Sequence, residues 1–189
     1  NAVLLASKQL GVPSFAIQHG MIGDTGQVGH LLVDKYLVWS EFFQKRLEKW
    51  QAGCTVQVAG NAAYDAVFPT LATGGIQLLE PAPTSILVLP NAGISHTPLA
   101  EVHSLLEAVI AFAKRHPEAR ITVKPHPADQ LEQVKQHLTP FLVECPQIHL
   151  LGRNEAIPFN RHQLVAVNNS GAGMEACIWE RPLVVYSTV

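Results

Sequence analysis

Several short stretches place chemically capable residues where an apolar segment gives way to a turn. The first is Lys124-Pro125-His126-Pro127, directly after the apolar run Arg120–Lys124. A histidine at the end of a buried strand can donate a hydrogen bond to a phosphate and stabilise negative charge on a leaving group. The two prolines stiffen the turn that aims it, and Lys124 would add positive charge. The same residues also suit a rigid Pro-rich turn in which His126 is incidental and Lys124 ends the strand in solvent.

The second stretch is Asn168-Asn169-Ser170-Gly171-Ala172-Gly173-Met174-Glu175-Ala176, running from an apolar strand through a glycine-containing turn into a helix. Free N–H groups at a helix start, with the positive end of the dipole, form an anion site. Gly171 and Gly173 would let backbone approach a phosphate, and the Ser170 hydroxyl can bond the phosphate or cap the helix. Glu175 falls in the first turn, where a carboxylate is favoured, and it could equally accept hydrogen bonds from ribose hydroxyls. An ordinary serine cap with a nearby carboxylate explains the same pattern. No Gly-Lys-Ser/Thr follows, so this is not the phosphate loop of a nucleotide triphosphatase.

The third is Gln18-His19-Gly20, again after an apolar strand, leading into the glycine-rich stretch Met21–His30. His19 has the same class of position as His126, and Gly20, Gly23, Gly26 and Gly29 suggest a mobile or ligand-adapted loop, although a plain connection fits as well. The fourth is Ala59-Gly60-Asn61 with Asp65 a turn later, read either as part of a site or as a strand-to-helix turn capped by Asn61. The other seven histidines form no H-x-x-x-H or other partner pattern and are read as surface or satisfied residues.

These stretches need a scaffold, and the composition allows one. The 189 residues are 48% hydrophobic and 15% charged, enough apolar content to bury a core. Lys+Arg of 13 against Asp+Glu of 15 gives a net charge of −2, which speaks against nucleic-acid binding by bulk charge. No apolar run reaches the ~18–20 residues of a membrane helix. The N-terminus carries no secretory signal pattern. Cys54, Cys145 and Cys177 lie far apart without a C-x-x-C pair, so they are expected to be small buried hydrophobes rather than a zinc site or disulfide framework. The chain begins with Asn and stops on an apolar run, and is expected to be part of a longer protein.

Apolar runs rich in Val, Ile and Leu predict strands at Ser14–Gln18, Lys35–Trp39, Val56–Ala59, Ile86–Leu89, Arg120–Lys124, Gln147–Leu151, Leu164–Asn168 and Leu183–Tyr186. Their near-continuous hydrophobicity predicts burial on both faces of parallel sheets. Helices are predicted at Ala2–Leu10, Glu41–Trp50, Leu99–Arg115, Ala128–His137 and Gly173–Trp179. In the third, Val102, Leu105, Leu106, Val109, Ile110 and Phe112 recur at helical spacing. Strand–helix alternation means α/β architecture with right-handed crossovers. Ligands of such sheets bind beyond the carboxyl ends of the strands, where all the stretches above begin. Residues 69–84 (PTLATGGIQLLEPAPT) read as a linker. That divides the chain into 1–68, the tail of one Rossmann-like domain, and 85–189, most of a second.

In order, FAIQHG, DKYLVWSEFF, VQVAGNAAYD, the linker, ITVKPHP and NNSGAGMEACIWERPLVVY resemble nucleotide-sugar-dependent enzymes of the GT-B fold. More narrowly, they resemble bacterial surface-polysaccharide glycosyltransferases: capsule sialyl- and Kdo-transferases and CDP-glycerol glycerophosphotransferases. The resemblance runs from about Gly11 to Tyr186. It implies two Rossmann-like domains facing a cleft, the second gripping a nucleotide-activated donor. His126 and Lys124 would then meet the donor phosphate, and Ser170 with the N–H groups of Gly171 and Ala172 would hold its other oxygens. Glu175 would lie near the ribose, and Gln18, His19, Gly20 and Asn61 would line the cleft from the first domain. His126 and His19 are the catalytic candidates.

The resemblance implies transfer of a sugar, or glycerophosphate, to a hydroxyl of a polysaccharide or lipid-linked acceptor. Protein donors rather than a metal would stabilise the leaving phosphate, and no Asp-x-Asp is present to hold a cation. No cofactor is implied beyond the donor substrate, with CMP- or CDP-linked donors favoured over UDP-linked ones, and no nucleic-acid partner. The expected location is cytoplasmic, with peripheral association at the inner face of the membrane left open. The chain alone is expected to be inactive and to bind nucleotide weakly. A UDP-N-acetylglucosamine 2-epimerase is a rival resemblance, carried by VAGNAAYDAV and NSGAGMEA. Against it, Ile86–Leu89 continues as PNAGIS where epimerases present His-Arg-Arg-Glu-Asn, and Glu175 is followed by Ala176 instead of a second carboxylate. A non-catalytic nucleotide-binding module is the other alternative.

Overall fold

The computed structural model describes residues 2–20, 22, 33–49, 54–65, 84–91, 99–126, 131–168 and 170–186. The chain divides into two compact units, Asn1–Ala66 and Val67–Val189. Of the expected linker 69–84, only Thr84 is among the described residues; its N–H and hydroxyl both donate to Gln163 Oε1, at 2.8 and 3.0 Å.

The first unit carries α1 (Ala2–Gln9), β1 (Phe15–Ile17), β2 (Lys35–Val38), α2 (Glu41–Lys49) and β3 (Thr55–Val58), followed by a 3-10 turn at Ala62–Tyr64. The strands form a parallel sheet in the order β1-β2-β3. Helix α2 is amphipathic: Phe43 and Leu47, one turn apart, bury against Val38 with Tyr36 and Val56 alongside. The expectation of strands buried on both faces fails here. Phe15 is 67% exposed and Ile17 61%. Side chains alternate along a strand, and these two lie on the sheet face opposite the one α2 covers.

The second unit carries β4 (Ser85–Leu89), α3 (Leu99–Arg115), β5 (Arg120–Val123), α4 (Leu131–Leu142), β6 (Ile148–Leu150), a 3-10 turn at Phe159–Arg161, β7 (Leu164–Asn168), α5 (Ala172–Ile178) and β8 (Leu183–Tyr186). Its five strands are parallel in the order β6-β5-β4-β7-β8. All eight predicted strands are present within one or two residues of their predicted ends. Helix α4 differs most: it continues to Leu142 through Pro140, five residues beyond the predicted end, while the predicted start at 128 lies outside the described residues.

Sheet order decides which face each helix covers. From β4 the chain moves outward to β5 and β6, and right-handed crossovers keep α3 and α4 on one face. It then returns past β4 to β7 and β8, so α5 covers the opposite face. Strand β4 is buried throughout and feeds both cores. Ile86 and Val88 pack with Val102, Leu105, Leu106, Val109 and Ile110 of α3 and Val134 and Leu138 of α4, while Phe112 joins them partly buried. Leu87 and Leu89 pack with Phe159, Val165, Val167 and Ala176. Burial of each such side chain contributes about 1.5–3 kcal/mol. The edge strand β8 leaves Val184 and Val185 exposed, so burial on both faces holds for β4 and not for β8. The cysteine expectation holds for Cys145, which is buried, and fails for Cys177, which is exposed.

His162 sits in this core, 4% exposed. Its Nδ1 lies 2.9 Å from the Pro158 carbonyl and its Nε2 2.8 Å from the Thr122 hydroxyl. A carbonyl can only accept, so Nδ1 carries the proton and Nε2 accepts from Thr122. Burial holds the pKa of His162 below the usual histidine value, with the bond to Pro158 opposing and Arg120 and Arg161 assisting. Protonation therefore favours the unfolded chain. As pH falls below about 6.5, the unfolded state takes up a proton that the folded state refuses, and stability falls. Urea denaturation between pH 8 and 5 should show this loss. His162→Gln should flatten the slope without removing it, because burial and His103 lower the pKa of His137 in the same direction.

Candidate functional site

Parallel strands bring their carboxyl ends to one edge of the sheet. In the second unit the order reverses between β4 and β7: the next strand after β4 lies on one side of the pair and the next after β7 on the other, the switch point at which ligands of open parallel sheets bind. Asn91 follows β4, His126 follows β5, and Ser170 follows β7. With strands about 4.8 Å apart, the loops after β5 and β7 start roughly 10 Å from one another across the end of β4. The structure thus gathers His126, Ser170, Gly171, Ala172 and Glu175 at one edge of one unit, from positions up to 49 residues apart.

His126 is exposed, while the preceding Pro125 and Lys124 are buried. Lys124 corrects the reading that it ends the strand in solvent. It is 5% exposed, and its Nζ donates to the carbonyls of Gly152 (3.0 Å) and Arg153 (2.7 Å). Burial pushes its pKa below the usual lysine range, partly offset by the Glu155 carboxylate. Glu155 Oε1 in turn accepts from the Gly152 N–H at 2.6 Å. Two side chains of opposite charge therefore pin the loop after β6 beside the start of the His126 turn. With two of its three donors on carbonyls, Lys124 acts first as a loop anchor.

The turn after β7 shows the capping role expected of Ser170. Ser170 Oγ accepts from the Ala172 N–H at 3.3 Å, and the Ser170 carbonyl accepts from the Gly173 N–H at 3.0 Å. The hydroxyl therefore caps the helix start, as the plainer reading had it. Glu175 lies in the first turn of α5, half-buried. Gly173 departs from the expected approach to a phosphate. It is buried, and a Cβ there would stand 3.4 Å from both Leu183 and Val167, so it serves close packing of α5 on β7 and β8. Gly171 is exposed with ordinary helical dihedrals.

One residue the motif reading passed over is fully buried at the same edge. The Asn168 carboxamide accepts from the Asn91 N–H at 2.7 Å and donates to the Asn91 carbonyl at 3.2 Å. A polar residue closing an apolar strand just before Ser-Gly was the available signal.

In the first unit, Gln18 is also buried rather than lining a loop (3% exposed). Its Oε1 accepts from the Trp39 N–H at 3.0 Å, its Nε2 donates to the Gly20 carbonyl at 2.9 Å, and its own carbonyl accepts from Trp39 Nε1 at 3.0 Å. This amide holds the ends of β1 and β2 together and leaves His19 and Gly20 exposed. Of the glycine-rich stretch 21–30, all but Ile22 lies outside the described residues, so the expected mobile or ligand-adapted loop does too. Asn61 caps the 3-10 turn through Oδ1 and the Ala63 N–H at 3.2 Å, matching the plainer of its two readings. Among the described residues, no three His, Cys, Asp or Glu side chains gather as a metal site. Among them, too, no helix is long and apolar enough to cross a membrane.

Two Rossmann-like units of parallel strands, the second reversing its order at β4, define an α/β protein of GT-B type. The profile of the capsule polysaccharide biosynthesis protein family matches residues 94–189, just over half the chain, and the chain belongs to that family. The match takes in both the His126 turn and the Ser170 turn. No curated protein sequence matches the chain.

Among solved structures, a UDP-GlcNAc 2-epimerase from Neisseria meningitidis bound to UDP-GlcNAc aligns over 100% of this chain and 56% of its own, at 13% identity and TM-score 0.66. MnaA of S. aureus in complex with UDP aligns over 100% and 54%, at 16% identity and TM-score 0.68. The pneumococcal O-GlcNAc transferase GtfA, with UDP and GlcNAc, aligns over 97% and 38%, at 13% identity and TM-score 0.58. At these identities the likeness is one of fold, and the chain spans about half or less of each.

Lys124→Met should release the carbonyls of Gly152 and Arg153 and cost about 1–3 kcal/mol in urea denaturation. Hydrogen exchange should rise at residues 152–155.

Proposed function

We propose that this chain is part of a glycosyltransferase that moves a sugar, or glycerophosphate, from a nucleotide-activated donor to a hydroxyl of a polysaccharide or lipid-linked acceptor. The observation that carries the reading is the family match over residues 94–189, which takes in the chemically capable turns at the sheet's switch point. In this reading the exposed His126 imidazole donates to a donor phosphate and stabilises charge on the leaving group. In the same reading the Ser170 hydroxyl and the Gly171 N–H donate to the phosphate, the Ala172 N–H expected beside them being taken by Ser170 Oγ, and Glu175 accepts from ribose hydroxyls. His19, at the carboxyl end of β1, is the candidate of the first unit for work on the acceptor. The reaction proceeds with protein donors and without a metal, on CMP- or CDP-linked donors in preference to UDP-linked ones. It takes place in the cytoplasm, with the intact enzyme at the inner face of the membrane.

A second reading has a specific observation behind it, the fold likeness to a UDP-GlcNAc 2-epimerase. Against it, β4 continues as Pro90-Asn91 without the His-Arg-Arg-Glu-Asn run, and Ala176 follows Glu175 where a second carboxylate would be needed for proton abstraction. Transfer is therefore the reading adopted.

Thermal shift of the chain with CMP, CDP, UDP and GDP, each beside His126→Ala, tests this. A ligand at ~100 times its Kd adds about 2.7 kcal/mol. Cytidine-selective stabilisation that disappears in the variant is the expected outcome. Uridine selectivity would move the reading to a UDP-sugar enzyme, and no shift with any nucleotide in a folded sample would overturn it.

A further inference from the structure

We propose that Asn168 is a positioning residue for the donor site: its carboxamide sets the separation of the loops after β4 and β7. This rests on the donor-binding reading above.

The β4–β7 ladder pairs Ile86 with Leu164 through Leu89 with Val167. Beyond it stands Pro90, which has no N–H to offer a ladder. At this point the two chains part, α3 following on one face and α5 on the other. Asn168 bridges the gap. Its backbone continues the pairing with β8 opposite Tyr186, while its side chain reaches the other way and takes both the N–H and the carbonyl of Asn91. One residue thus holds β8 by its backbone and the end of β4 by its side chain.

A carboxamide is the neutral side chain that can accept and donate at once with this geometry. Asn168 itself has no exposure, and both of its bonds to the Asn91 backbone are made. Ser170 lies two residues on, and α5 begins at Ala172. The separation of the start of the β4 loop from the Ser170 turn is held by a pair of hydrogen bonds that touch no ligand themselves. The first unit shows the same device: Gln18, buried at the end of β1, takes the N–H of Trp39 just past β2 and ties down Gly20 beside His19. A buried carboxamide at a strand's carboxyl end, clasping backbone beyond the neighbouring strand, recurs in both units.

The test uses the 189-residue chain and two variants, with hydrogen exchange and nucleotide titration by calorimetry. The nucleotide is the one that stabilises the wild type best in thermal shift, or CMP where none does. Asn168→Ala removes both bonds. Asn168→Asp keeps the shape, but its ionised form can only accept, so the donor to the Asn91 carbonyl is lost; its protonated form restores both bonds. The expected result at neutral pH is faster exchange confined to residues 90–91 and 170–173, with nucleotide Kd raised roughly tenfold or more in folded protein. In Asn168→Asp, the ratio of its Kd to the wild-type value should fall back toward one as pH is lowered and the carboxyl protonates. A residue that only stabilised the fold would lower Tm and loosen exchange throughout the second unit, leaving the Kd of the folded fraction unchanged; that result overturns the proposal, as does failure of both variants to fold at every pH. If the wild type binds no nucleotide, the donor-binding reading fails, and the proposed role of Asn168 in binding fails with it. Unchanged exchange at 90–91 and 170–173 in the variants, beside a wild type that binds, overturns the role of Asn168 alone.

Discussion

Five parallel strands share a polarity, and nearly everything of interest in the second unit follows from it. Because every carboxyl end lies on one edge, loops separated by tens of residues emerge side by side. Because the order reverses at β4, the next strands lie on opposite sides of the β4–β7 pair, the switch point at which ligands of such sheets bind. The constraint is topological before it is chemical: any residue types placed after β4, β5 and β7 would meet there. What this sequence adds is an exposed histidine after β5, a serine-capped helix start after β7, and a carboxamide that ties β7 to β4.

Buried polar groups cost free energy unless they are paired, and those at the strand ends show where the structure commits them. Gln18, Lys124, His162 and Asn168 are all buried, and all bond to backbone carbonyls or N–H groups of neighbouring segments. Three of the four stand at the carboxyl end of a strand, where the ladder stops and the next segment must still be held. The exposed residues, His19 and His126, are each one or two places beyond such an anchor.

Membership of the capsule polysaccharide biosynthesis family gives that edge a chemical setting. The profile match begins at residue 94, just past β4, and continues to the end of the chain, so it falls on the unit that holds the switch point. The likeness to a 2-epimerase and to an O-GlcNAc transferase is one of fold, and a fold does not by itself select a reaction.

The sequence by itself determined the strands, because runs such as Ser85–Leu89 and Leu164–Asn168 are apolar enough to be stable only in a sheet interior. It also determined the amphipathic α3, whose stripe at helical spacing packs as its periodicity requires. It located the turns that carry His126 and Ser170, since strand–turn–helix punctuation is local. Tertiary structure alone decided the strand order and the reversal at β4. It also decided the fate of each polar side chain: Lys124 turned inward to carbonyls 28 and 29 residues away, Gly173 into helix–sheet packing, and Asn168 across to Asn91, 77 residues earlier. Periodicity reports which residues avoid water over one or two turns of chain. Which distant backbone group a buried amide or ammonium will meet depends on where the crossovers bring other strands, and no local pattern encodes that.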